Sequence, residues 1–248
     1  MASTSDSGHP KNVANFEKVV TSMTALGTAY NPSKTSLKLT ALTTLLTTAK
    51  AVTTAYNTAS SNMITAQKAR DAAFKILSPY ITRINNGLKA SDTTTQVDES
   101  VMSLVRKLQG RRATPKKTEE QKKAAEANGK EVIEISAVHM SFDNRIDNFD
   151  KFIKLLTTIP AYAPNEADLK LTAITAYLND LKAKNAAAVS AETAFDNARI
   201  ARNEVLYKPN TGLVDISVDI KSYIKSVFGA TSPQYKQISK IEFKSMKI

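Results

Sequence analysis

Apolar side chains recur in steps of three and four along two long stretches of this chain. In the first, Leu42, Leu45, Ala49, Val52, Tyr56, Ala59, Met63, Ala66, Arg70, Ala73 and Leu77 form one line. In the second, Ile174, Tyr177, Leu181, Lys184, Ala188, Ala191, Phe195, Ala198, Arg202 and Val205 do the same. That alternation is the period of a helix with one buried face, and its abundance of Ala permits close helix approach along a heptad-like seam. No Gly or Pro falls between Pro32 and Pro79, or between Pro164 and Pro209. The pattern therefore predicts two helices of roughly forty residues, each about 60 Å long at 1.5 Å per residue. Thr40, Thr43, Thr44, Thr47, Thr48, Thr53 and Thr54 are weak helix formers, so packing must hold that stretch, and a break is allowed near Asn57–Asn62.

The two lines are displaced by 132 residues, and other landmarks follow them. Asn15-Phe16-Glu17-Lys18 returns as Asn148-Phe149-Asp150-Lys151. Tyr30-Asn-Pro32 before Leu37-Lys38-Leu39-Thr40-Ala41-Leu42 returns as Tyr162-Ala-Pro164 before Leu169-Lys170-Leu171-Thr172-Ala173-Ile174. Ala66, Ala69 and Arg70 fall on Ala198, Ala201 and Arg202. Tyr80-Ile81 matches Tyr223-Ile224 only after an insertion that contains Lys208-Pro-Asn-Thr-Gly212. Ordered landmarks at nearly fixed spacing read as an internal duplication.

Each copy reads as helix, turn, long helix, turn, helix. The first helices run from about Asn12 to Gly27 and from about Phe142 to Ile159, and Ser33 or Asn165 stands ready to cap the long helix that follows. The expected fold is all-α: an elongated helical bundle of two pseudo-equivalent three-helix units with long central helices. Its expected parts are a flexible N-terminus (1–11), a first repeat (12–109), a basic linker (110–136) and a second repeat (137–248), both repeats packed as one bundle. Within the linker, Glu131–Ser136 alternates and is β-branched enough to be extended.

Composition agrees with helices. The 248 residues include only seven Gly and no Trp, leaving little material for turns between strands or for phosphate-binding loops. There is no Cys, which excludes disulfides and thiolate chemistry and fits a reducing cytoplasm. No secretory signal and no transmembrane run is visible, so a cytoplasmic location is expected. Net charge is +11, and the Arg106–Lys130 segment concentrates it, with nine cations against three carboxylates. Arg106, Lys107, Arg111, Arg112, Lys116, Lys117, Lys122 and Lys123 are its candidate polyanion contacts, although no aromatic residues are interleaved to stack on single strands.

Four stretches together carry a resemblance. They are Asn12-Val-Ala-Asn-Phe16, Tyr30-Asn-Pro-Ser33, Met140-Ser-Phe-Asp-Asn-Arg145, and Ser226-Val-Phe-Gly-Ala230 followed by Ser-Pro-Gln-Tyr-Lys236. The chain resembles, over almost its whole length, a family of two-repeat helical hypothetical proteins from Bacteroidetes-type bacteria. No activity is attached to that family, so the resemblance implies an architecture and supplies no functional residues.

Candidate chemistry is sparse. His9 belongs to a frayed terminus and a lone His139 precedes a helix, as a surface or capping residue does. Ser222-Tyr-Ile-Lys225 has Ser-x-x-Lys spacing without its companion motifs, and reads as a solvated helix face. Asp143, Asp147 and Asp150 share one helix face where a hard cation could sit, but Arg145, Lys151 and Lys154 are interspersed, and acids are favoured at a helix start anyway. The Gly pattern contains neither a dinucleotide fingerprint nor a P-loop, and Gly87, Gly110, Gly212 and Gly229 fit helix ends or turns.

Arg70 and Arg202 occupy equivalent places on the seam. With Tyr56, Ala66 and Ala198 they form a candidate contact between repeats. Either an anion binds there, or the arginines are edge residues paired with Asp71 and Asp196, which is the favoured reading. Without a catalytic constellation, cofactor or metal site, and with no small-molecule substrate implied, the sequence points to a non-enzymatic structural or protein-interaction protein. Its expected partner is itself or another protein. The alternatives are nonspecific nucleic-acid or polyanion binding and a membrane-active helical protein.

Overall fold

A computed structural model describes residues 8–111, 118–120 and 140–245. Among them the chain is helical, with no strand, and its helices pack against one another. The α-helices are α1 (Gly8–Ala25), α2 (Leu39–Lys75), α3 (Leu77–Lys89), α4 (Thr95–Gln109), α5 (Phe142–Thr157), α6 (Leu171–Tyr207), α7 (Leu213–Phe228) and α8 (Pro233–Ser239). Glu131–Ser136 and His139 lie outside the described residues.

Both long helices form at their expected places, and α2 and α6 are 37 residues each. No break interrupts α2 at Asn57–Asn62. The hydroxyls of Thr43, Thr44, Thr47, Thr48 and Thr53 each donate to the main-chain carbonyl four residues earlier, 2.7–3.0 Å away. The β-branched residues are thus accommodated by bonding back onto the helix. Every residue of the expected α2 seam is buried or half-buried. On α6 the buried face takes in Leu178 and Asn185 as well, while Lys184 is half-buried and paired with Asp180.

Three local expectations differ from the structure. Ser33 and Asn165 do not cap the long helices: single 3₁₀ turns at Thr35–Leu37 and Ala167–Leu169 intervene. The corner is instead closed by a phenol, Tyr30 Oη donating to Leu37 O at 2.7 Å and Tyr162 Oη to Leu169 O at 2.8 Å. Second, α1 begins at Gly8, and His9 is only 8% exposed, its Nδ1 lying 2.6 Å from Tyr207 Oη, so the start of α1 is not frayed there. Third, each final helix is divided in two. In the first half the chain stops α3 at Lys89 and restarts at Thr95 after a polar Ser91–Thr94 stretch. In the second, Gly229 ends α7, and Ser232 caps α8 with Pro233 in its first turn.

The chain divides into two compact units, and their borders differ from those of the expected repeats. Unit 1 joins the residues up to Ile64 with those from Ala191 onward, and unit 2 is Thr65–Ser190. Unit 1 therefore contains α1, the first part of α2, the last part of α6, α7 and α8. Its core sets Phe16, Val19, Met23 and Leu42 against Leu206, Leu213, Ile216, Ile220 and Ile224. Unit 2 contains the end of α2, α3, α4, α5 and the start of α6. There Phe74, Leu77, Ile81, Ile84 and Leu108 pack with Phe149, Phe152, Leu156, Ile174 and Leu181. The cause lies in the lengths: a long helix outruns the short ones packed on its start, so its far end is covered by helices from elsewhere in the chain.

Candidate functional site

The seam arginines are the first residues to place. Arg70, in unit 2, lays its guanidinium over the Phe142 ring with Cζ 3.9 Å from the centroid; Asp71 is a marginal partner at 3.9 Å from its Nε. Arg202, in unit 1 and 2% exposed, lies 3.9 Å over the Tyr56 ring and donates to Asn203 Oδ1 through Nε and Nη2, at 3.2 and 3.1 Å. Asp196, its expected partner, pairs with Arg199 at 3.0 Å. Aromatic faces, more than the expected carboxylates, receive both guanidiniums, as planar cations permit. Ala66 lies half-buried in unit 2 and Ala198 half-buried in unit 1, so the five residues are divided between the units.

Around Arg70 the packing continues through unit 2. Phe142 meets Phe74 edge-on at 4.8 Å, and Arg145 donates from Nη2 to Phe74 O at 3.0 Å with its Cζ 5.1 Å from that ring. Burial lowers the Arg145 guanidinium from its usual value. The three aspartates of α5 are each engaged elsewhere. Asp143 accepts from Asn185 at 2.8 Å, Asp147 pairs with Lys151 at 2.6 Å, and Asp150 with Lys154 at 2.5 Å and Lys182 at 3.3 Å. The hydrogen bond from Lys154 is the main reason the Asp150 carboxyl is held below its ordinary value. Among the described residues no group of three His, Cys, Asp or Glu side chains is placed to hold a metal.

The insertion between α6 and α7 builds a groove in unit 1. Gly212 N bonds Lys208 O at 2.7 Å, and a Cβ on Gly212 would lie 2.6 Å from Lys208 N, so only glycine closes this turn. Asp215 accepts from Asn210 N at 2.8 Å, holding the loop against the start of α7. The loop walls an open groove of about 640 Å³ lined by Lys38, Ala41, Thr44, Leu45, Thr48, Glu204, Val205 and Lys208 among others. The Thr44 and Thr48 hydroxyls have already donated to main-chain carbonyls, so methyl groups and acceptor lone pairs are what these two can offer. Glu204 bonds Lys208 at 2.8 Å and is held below its ordinary value by that bond, which makes it a poor proton donor or acceptor near neutrality. In unit 2 the corresponding place is narrower. Tyr80 packs on Tyr177 at 5.2 Å, and Arg83 pairs with Asp168 at 2.6 Å across the opening.

The remaining candidates fall as follows. Ser222 is exposed on α7, and Lys225 of the same motif points its Nζ toward Tyr235, 6.0 Å from the ring. Gly87 lies inside α3, where a Cβ would approach Leu169 Cδ1 at 3.8 Å. Arg106, Lys107 and Arg111 are exposed where α4 ends, at Gly110 with φ 67°, and favour that helix terminus electrostatically. Arg112, Lys116, Lys117, Lys122 and Lys123 lie outside the described residues.

The signal that sequence reasoning missed is a set of four tyrosines, two at the corners before the long helices and two within helices. Burial raises Tyr30 far above the ordinary phenol value, and pushes Tyr162 and Tyr177 up to about 12. Tyr80 is raised too, by burial and then by Asp168. Each donates to a main-chain carbonyl: Leu37, Leu169, Ala73 and Asp168 respectively. The Tyr-x-Pro pattern marked two of these corners without showing what the hydroxyl does.

No protein-family model, no curated protein and no solved structure matches the chain. Among the described residues no helix is long and apolar enough to cross a membrane.

Proposed function

We propose that this is a non-enzymatic structural or interaction protein whose partner is a second copy of itself. One observation carries the reading. Strongly perturbed titratable groups usually cluster where chemistry is done. Here Tyr80, Tyr162 and Tyr177 lie near one another in unit 2 and Tyr30 lies in unit 1, but each donates its hydrogen to a main-chain carbonyl. A phenol kept protonated and bonded in this way is a tie, and it stiffens the turn into a long helix. The lowered lysine, Lys221, is spent similarly: burial depresses it, and its Nζ donates to Ile241 O at 2.5 Å, fastening the tail after α8. We also read the two halves as copies of one ancestral unit, on the 132-residue offset shared by the seam, the Tyr corner and the two seam arginines.

The test is the mass of the native particle by light scattering over a wide concentration range. The expected result is a mass that rises above one chain as concentration increases. A particle that stays at the mass of one chain throughout would remove self-association.

A further inference from the structure

Neither compact unit is made by one half of the chain. In unit 1, α1 packs on α7, and the turn at Thr35–Leu37 also packs on α7. In unit 2, α4 packs on α5, and the turn at Ala167–Leu169 packs on α3. The polar ties cross in the same way. Lys34 pairs with Asp219 at 2.5 Å, Asn12 exchanges two hydrogen bonds with the main chain of Lys244, and Tyr177 Oη bonds Ala73 O. Separated from residues 140–245, residues 8–111 would leave Phe16, Leu42, Phe74 and Ile84 facing water, and the converse holds for Phe149, Ile174 and Ile220. Each half is thus a complete binding surface for the other. Only the connection through residues 112–139 determines whether the two come from one chain. The two ends of that connection lie in unit 2, where a Cβ on Gly110 would approach Met140 Sδ at 2.9 Å.

We infer that copies of this protein associate by exchanging halves, residues 8–111 of one chain completing residues 140–245 of another. The inference rests on the self-association proposed above and names its mode. In dilute solution a folded chain favours its own half, because the covalent connection supplies an effective concentration on the order of millimolar. Synthesis reverses that advantage for a time. At roughly 5–20 residues per second the first half waits on the order of ten seconds for its own partner, with its core face uncovered. A second half reached in that interval is retained, since releasing it means opening both units. Exchange that closes on two chains gives a dimer, and exchange that does not close gives an open series.

The chain has no Cys, so introduced pairs report cleanly. A Cβ built on Gly8 lies 3.8 Å from Lys244 Cβ, which matches the usual separation across a disulfide, about 3.8 Å. Full-length Gly8→Cys and Lys244→Cys chains are unfolded together, refolded at high concentration and oxidised. The expected product is a disulfide joining position 8 of one chain to position 244 of another, in particles of at least two chains. It should be absent when the variants are refolded separately and then mixed. The double variant, oxidised when dilute, should close the bond within one chain. A second measurement uses the unaltered protein. Isotope-labelled and unlabelled chains are refolded together and treated with a zero-length carbodiimide, and the Lys34–Asp219 cross-link should contain mixed-label peptides. Particles larger than one chain without mixed 8–244 or 34–219 links would overturn exchange while leaving self-association standing. A mass of one chain, with no mixed links, would overturn both.

Discussion

Tyr30 and Tyr162 each fold one corner with a single hydroxyl, so the account can be tested one atom at a time. Removing the hydroxyl in Tyr30→Phe leaves Leu37 O without its buried donor, at a cost of about 1–2 kcal/mol. The expected result is a lower urea midpoint with an unchanged slope. The pH dependence has a definite sign. The folded values of Tyr30, Tyr162 and Tyr177 lie above the ordinary phenol value of 10.0, so their contribution is complete below about pH 10. It is lost as pH rises from there, because the unfolded chain ionises first. Lys221 opposes this, since its depressed folded value makes stability rise with pH below about 10.5. The four raised phenols, Tyr80 included, outweigh one lysine, so urea midpoints should fall as pH rises from about 10 to about 11, and fall less in Tyr30→Phe. At this scale the sequence showed the turns through Tyr-x-Pro. It could not show the hydroxyl bonds, nor that Arg70 and Arg202 would lie on aromatic rings, because the rings come from distant positions: Phe142 for Arg70 and Tyr56 for Arg202.

At the scale of single elements, α2 was legible because its period of three and four survives a composition that disfavours helices. The threonines persist by bonding back to the chain, at the expense of intrinsic propensity. Replacing the exposed Thr43 and Thr47 with Ala should therefore stabilise the protein, by a few tenths of a kcal/mol at each site. A melting temperature unchanged or lowered in Thr43→Ala/Thr47→Ala would mean that these side chains are held by something beyond their own helix. What the sequence blurred were the ends. A Ser after a Pro resembles a helix cap, yet the 3₁₀ turn at Thr35–Leu37 separates Ser33 from α2, and local residue preference cannot distinguish the two. His9 was misplaced for a different reason. Its partner is Tyr207, remote in the chain.

For the whole molecule, the all-α class followed from periodicity and scarce glycine, but the composition of the units did not. Periodicity identifies which face of α2 is buried, and it is silent on what covers that face at each end. The start of α2 is covered by α1 and α7, and its end by helices of unit 2 that include α5. A duplication read along the chain suggested two three-helix units packed as one bundle, whereas each compact unit takes material from both halves. The groove beside Lys208–Gly212 follows the same logic: its wall joins residues from both halves of the chain, as does the smaller opening beside Tyr80 and Tyr177.

The claim that each half completes the other is tested most directly by cutting the chain. A protease site placed within residues 121–139 is cleaved in the folded protein, and the product is sized and then titrated with urea. Both fragments should remain together at the size of the uncut protein and part only when urea unfolds them, at a midpoint below the uncut one that rises with protein concentration. Fragments that separate without denaturant, each keeping its helical signal, would show that each half folds on its own and would contradict the account.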